Sequence, residues 1–208
     1  MAPTVYDFRK PEEPSPAEPE GCVLTCPVFL VGFMGAGKTT VSRKLARLTG
    51  AASIDMDRFI ERRCDKAIKD LFAEIGEEGF RTIETDVLRE LAEGEPRFVS
   101  CGGGVVLKEE NREILKGAGC VVYLKVTAEE AASRISDVST RPLFGNLEQA
   151  QRVIDGRLAF YEEVADLQIE TGGRGSGSIA HEVAEMLKEM GIVRLDAGEA
   201  PAPAASTE

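Results

Sequence analysis

The sequence holds a single histidine, His181, and five scattered cysteines, and its longest convincing apolar run is only Pro27 to Val31. His181 lies in an apparent amphipathic helix with Ile179, Val183, Met186 and Leu187, where a surface or partly buried role is expected, so neither a histidine-based triad nor a histidine-rich zinc cluster is expected. Cys22, Cys26, Cys64, Cys101 and Cys120 are odd in number and lack CxxC spacing, so neither a disulfide framework nor a closed zinc site is expected. Cys22 and Cys26 alone supply two of the four ligands that zinc requires. No stretch approaches the roughly 20 apolar residues of a membrane-spanning helix. Positive charge is also short: 25 Lys plus Arg against 36 Asp plus Glu give a net charge of −11, which argues on global charge against a nucleic-acid binder. The N-terminus lacks the basic start and apolar core of a secretory signal, and its glutamates argue against a transit peptide, leaving the cytoplasm as the expected compartment.

What is present is 43% hydrophobic residues in 208, enough for one domain with one core. Residues 1–26 carry Pro3, Pro11, Pro14, Pro16 and Pro19 ahead of any apolar periodicity, and are expected to be a disordered Pro/Glu-rich extension. The Ala/Pro-rich tail at 196–208 is expected to be disordered as well. Between them, residues 27–195 alternate strand-like apolar runs with helical periodicity, the pattern of an α/β protein with a parallel sheet. Strands are expected at Val28–Val31, Ala52–Ile54, Arg97–Cys101, Cys120–Val126 and Leu167–Glu170. Helices fill the intervals, with a break at Gly76 and a capping box from Thr127 to Glu130. The interval around Arg141, Pro142 and Gly145 has little apolar content and is expected to be a mobile lid over about 136–147.

The strongest chemical signal is Gly32-Phe33-Met34-Gly35-Ala36-Gly37-Lys38-Thr39, which fits G-x-x-x-x-G-K-[ST] between a strand and a helix. Such a loop turns successive amides and a helix N-terminus toward a phosphate chain, its lysine bridges the terminal phosphates, and its threonine can ligate Mg²⁺. Asp55-Met56-Asp57 follows the second strand, where alternation along an extended segment aims both carboxylates to one side. One could hold a Mg²⁺ water while the other accepts a hydroxyl proton. Helix capping by Asp57 is the plainer alternative. Gly102-Gly103-Gly104, after the third strand, lets a small ligand approach the backbone. Arg81 has Glu84 three residues on, on the same helical face, and Arg157 lies in a later helix. Pointing inward, the two make a fork for a carboxylate; pointing outward, they are solvated helix charges.

In order and spacing, GFMGAGKTT, IDMD, GEEGFRTIE, SCGGGVV, VVYL, TRPLF and the Arg157-to-Tyr161 stretch make the chain resemble shikimate kinase from about Val28 to Met190. The resemblance implies a P-loop NTPase fold of the nucleoside monophosphate kinase type, with a five-stranded parallel sheet in the order 2-3-1-4-5 and helices on both faces. It implies ATP-dependent phosphorylation of the shikimate 3-hydroxyl, with Mg²⁺ as cofactor, in a monomer. Carried over motif by motif, Gly35, Ala36, Gly37, Lys38, Thr39 and Thr40 would bind ATP, with Lys38 steadying the transferring phosphoryl group. Thr39 and Asp55 would organise Mg²⁺. Asp57 would meet the substrate hydroxyls, Arg81 and Arg157 would grip the carboxylate, and Gly102, Gly103 and Gly104 would line the ring. Arg141 would close over the phosphates, and Arg134 would lie against the adenine. Ile169-Glu170-Thr171 and the Gly-rich stretch after it depart from the family pattern on the adenine side, and TRPLF ends in Phe where a second Leu is usual. A gluconate kinase or a nucleoside monophosphate kinase shares the phosphate loop. A regulatory relative without turnover is expected to have lost Lys38, Asp57 or an arginine, and all are present.

Overall fold

A computed structural model of the chain describes residues 22–134 and 147–195. The extension before residue 22, the expected lid from 136 to 146 with Arg141, and the tail from 196 lie outside the described residues. The five-stranded sheet is formed by β2 (Val28–Val31), β3 (Ser53–Asp55), β4 (Phe98–Ser100), β5 (Cys120–Lys125) and β6 (Leu167–Glu170) in the order β3-β4-β2-β5-β6. All its pairings are parallel. With its strands numbered from Val28, that is the order the resemblance implies.

Strand alternation divides the core into two layers. Val28 and Leu30 of β2 and Val122 and Leu124 of β5 face one side, where Val41 and Leu45 of α1 (Lys38–Thr49) and Val183 and Leu187 of α7 (Ser176–Glu189) pack. Phe29, Val31, Val121 and Tyr123 face the other, against α2 (Met56–Cys64), α3 (Ile68–Glu93), α4 (Glu109–Ala118) and the C-terminal part of α6 (Leu147–Val164). A side chain buried this fully contributes roughly 1.5–3 kcal/mol, so the central strands fix the sheet before any loop is considered. Glycine's conformational freedom is used where β2 hands over to α1. Gly32 has φ 139°, and a Cβ there would meet the Leu124 carbonyl oxygen at 2.5 Å; Gly37, at φ 91°, caps α1. The backbone of α3 is interrupted at Gly76 (φ 72°, ψ −179°), as the sequence suggests. The capping box opens α5 (Ala128–Arg134): Thr127 N–H donates to Glu130 Oε2 and Glu130 N–H to Thr127 Oγ1.

The fold begins earlier than the sequence indicates. Cys22–Leu24 forms β1, antiparallel to β7 (Val193–Leu195), so residues 22–26 belong to the folded unit rather than to a disordered extension. Leu24 is 4% exposed and joins the α1/α7 layer of the core. Replacing it by Ala is expected to cost about 2–5 kcal/mol, read as a fall in melting temperature of roughly 4–20 °C. An unchanged melting curve would remove β1 from the stabilised fold.

Candidate active site

The loop after β2, the ends of β3 and β4, and the first turns of α1 and α2 meet at the carboxyl edge of the sheet, around a cavity of about 610 Å³. Residues Gly35 to Thr40 line it from one side, with Gly37 at the mouth of α1, where unpaired amides and the helix dipole favour an anion. The ammonium of Lys38 donates to the carbonyl oxygens of Gly32 (2.8 Å) and Phe33 (3.0 Å), which holds it along the loop. Thr39 Oγ1 donates to Asp55 Oδ2 (2.6 Å) and lies 3.1 Å from Ser100 Oγ. The other Asp55 oxygen caps α2 by accepting from Arg58 N–H. Among the described residues there is no group of three His, Cys, Asp or Glu able to cage a metal. The hydroxyl and carboxylate at Thr39 and Asp55 are hard oxygen donors, and two such ligands suit a Mg²⁺ that retains waters and shares phosphate oxygens.

Asp55-Met56-Asp57 is not an extended run. The helix starts at Met56 because Asp55 satisfies its exposed amide, so Asp57 stands in the first turn of α2, and Asp55 takes the capping role considered for Asp57. Both carboxylates nonetheless line the cavity.

Arg81 projects into the same cavity from α3. Its guanidinium donates to Glu84 Oε2 (2.7 Å) and to Glu77 Oε1 (3.2 Å), and the Glu84 side chain is only 2% exposed. Burial pushes the Glu84 carboxyl up, against the opposing pull of Arg81. Burial alone would lower the Arg81 pKa, but the Glu84 and Glu77 carboxylates together outweigh it and the net shift is upward. Arg157 reaches across from α6 and donates to the Gly103 carbonyl (3.2 Å), which also accepts from the Tyr161 hydroxyl (2.6 Å). Tyr161 is fully buried and stacked on Tyr123 (ring centroids 4.9 Å apart), and burial pushes its phenol up to about 12, so it stays a donor at neutral pH.

The glycine run is where these groups converge. A Cβ at Gly102 would lie 2.8 Å from Asp57 Oδ1 and 3.0 Å from Glu84 Oε1, and one at Gly104 would lie 2.5 Å from the Arg81 guanidinium nitrogens. Gly103 and Gly104 line the cavity; Gly102 stands behind it against Asp57 and Glu84. Cys101, beside the run, is 2% exposed, and burial pushes its thiol far up, so it is an inert apolar filler.

Arg134 lines the far end and donates to Thr171 Oγ1 (2.9 Å) and to the Thr171 carbonyl (2.6 Å), which ties it to the β6 edge. Three neighbours there, Arg174, Ser176 and Ile179, were not singled out in the sequence, although an arginine inside the Gly172-to-Gly175 loop after a strand was a usable signal. Ser100 and Tyr161 stood inside the quoted motifs without a role.

The shikimate kinase family model matches residues 34–188. A shikimate kinase of Bordetella avium is 43% identical over 149 residues, covering 70% of this chain and 71% of the relative. One from Nitrosococcus oceani is 41% identical over 170 residues, covering 80% and 90% respectively. Among solved structures, shikimate kinase from Acinetobacter baumannii in complex with shikimate has a TM-score of 0.74 at 40% identity, covering 80% of this chain and 95% of that one. A gluconokinase from Sinorhizobium meliloti 1021 has a TM-score of 0.53 at 18% identity, covering 81% and 94%, a likeness of fold alone.

Proposed function

The chain belongs to the shikimate kinase family, and on that premise we propose that its site transfers the terminal phosphoryl group of ATP to the 3-hydroxyl of shikimate, giving shikimate 3-phosphate and ADP. The observation that carries the reading is the joining of two receptors in one cavity: a phosphate loop with Lys38 and Thr39, and a pair of guanidiniums, Arg81 and Arg157, with Asp57 beside them. The acid and the nucleotide are thereby held close enough for in-line attack, which supplies most of the catalysis when the transition state is loose.

The loop amides and Lys38 take the phosphate oxygens, and Lys38 exchanges two carbonyl partners for the charge developing on the transferred group. Thr39 and Asp55 would hold Mg²⁺, Asp55 through water. That ion, when bound, neutralises phosphate charge. Asp57 accepts a hydrogen bond from the attacking hydroxyl, orients it, and receives its proton as the new P–O bond forms. Arg81, kept in place by Glu84, and Arg157, kept in place by Gly103, clamp the shikimate carboxylate. Gly103 and Gly104 leave the ring room against the backbone. Arg134 closes the adenine side. A cytoplasmic monomer is part of the same proposal.

Measuring ADP release with shikimate, gluconate or a nucleoside monophosphate tests the reading directly. Turnover that requires shikimate is expected. Turnover indifferent to shikimate but raised by gluconate or a nucleotide would overturn it.

A further inference from the structure

A second cavity, of about 490 Å³, opens on the other side of Thr39 and Asp55, between α1 and α2. Three guanidiniums surround it: Arg43 from α1, and Arg58 and Arg62 from α2. They differ from the arginines that pair with carboxylates elsewhere in the chain. Arg63, Arg81, Arg89, Arg112 and Arg174 each face a carboxylate, whereas Arg43, Arg58 and Arg62 form no ion pair among the described residues. In a chain of net charge −11, a cavity lined by three unpaired guanidiniums and two carboxylates is a local site of net positive charge. Arg58 and Arg62 stand four residues apart, on the same face of α2, where like charges repel unless an anion lies between them.

The remaining lining suits a phosphate group. Ser53 and Ser42 add hydroxyls, though Ser42 already donates to the Thr39 carbonyl. Two carboxylates share the lining, each already accepting from a neutral donor, Glu61 from Ile68 N–H and Asp55 from the Thr39 hydroxyl and Arg58 N–H, and against three guanidiniums they leave the lining net positive. Guanidinium forks match the several oxygens of a phosphate dianion. The volume falls in the range of small-molecule sites.

We propose that this cavity is a second anion site, which takes a small molecule bearing a phosphate group. Because Thr39 and Asp55 line both cavities, an anion here is felt at the nucleotide site. Two polyanions separated by one hydroxyl and one carboxylate repel, so occupancy weakens ATP binding.

The test uses the full chain with its active site filled by Mg²⁺, a non-hydrolysable ATP analogue and shikimate. Fructose 1,6-bisphosphate, a compact phosphate-bearing probe, is titrated in by calorimetry at constant ionic strength. Saturable binding of one probe per chain is expected, at least tenfold weaker in R43A and in the R58A/R62A double variant. It should be unchanged in R47A, which removes an exposed α1 arginine outside the cavity. In steady-state assays the probe is expected to raise the KM for ATP several-fold in the wild type and not in R58A/R62A. Absence of saturable heat, or equal weakening in R47A, overturns the proposal. The calorimetric arm needs no turnover, so its failure is distinct from a failure of the proposed reaction. Circular dichroism reports folding, and R43A carries the comparison should the double variant not fold.

Discussion

Asp57→Asn is expected to lower kcat for shikimate phosphorylation by about 10²–10⁴, the range for removal of a positioned proton acceptor, while nucleotide affinity changes little. The substitution is nearly isosteric. Asp57 stands on α2 rather than on the phosphate loop, and the side-chain cap of that helix belongs to Asp55, so the substitution leaves the loop and the cap in place. Single-turnover kinetics alongside direct nucleotide binding separate the outcomes. A loss confined to kcat marks an interaction made in the transition state, and a rise in the KM for shikimate alone marks ground-state positioning. A variant within a few-fold of wild type on both parameters would remove Asp57 from the reaction.

Gly104→Ala is expected to act on the other substrate. The added methyl would lie 2.5 Å from both terminal nitrogens of Arg81. It meets the far end of a flexible side chain rather than backbone, so the fold tolerates it and the melting temperature moves little. The guanidinium must move, however, and Glu84, which positions it, is almost wholly buried and cannot follow. Displacing one arm of the carboxylate clamp costs roughly 2–5 kcal/mol of binding, read as a rise of about 30-fold or more in the KM for shikimate. Gly117→Ala is the matched control. It lies in α4 with nothing within 4 Å of the added carbon, and is expected to gain about 0.5–1 kcal/mol of stability without a kinetic effect. Equal kinetics in the two variants would show that Arg81 does not hold the acid.

What could be read in the sequence was what local spacing carries. The phosphate loop, the Arg81–Glu84 pair and the capping box at Thr127 each lie within eight consecutive residues, and their chemistry follows from that spacing. The start of α2 was misread because alternation and capping compete at Asp55, and the side-chain bond to Arg58 N–H decides for the helix. Tyr161 was missed because its partner is a carbonyl 58 residues away, and a buried tyrosine resembles any other apolar residue of a helix until the sheet places Gly103 beneath it. The Arg43, Arg58 and Arg62 cavity was missed for a similar reason: two of its arginines belong to one helix and the third to another, and only packing brings them together. β1 was missed because it is short, follows a proline-rich segment and pairs with residues at the opposite end of the domain.

That pairing has a consequence for biosynthesis. β2 finds its neighbours once β4 and β5 have been made, so the central sheet can assemble while the chain is still emerging from the ribosome. Cys22–Leu24, although translated earlier, waits for Val193–Leu195, and until those residues appear its backbone donors and acceptors present an unpaired ribbon edge. Translation stalled short of Val193 therefore leaves a nascent polypeptide whose catalytic elements are in place but whose first strand is open to adventitious pairing with other chains.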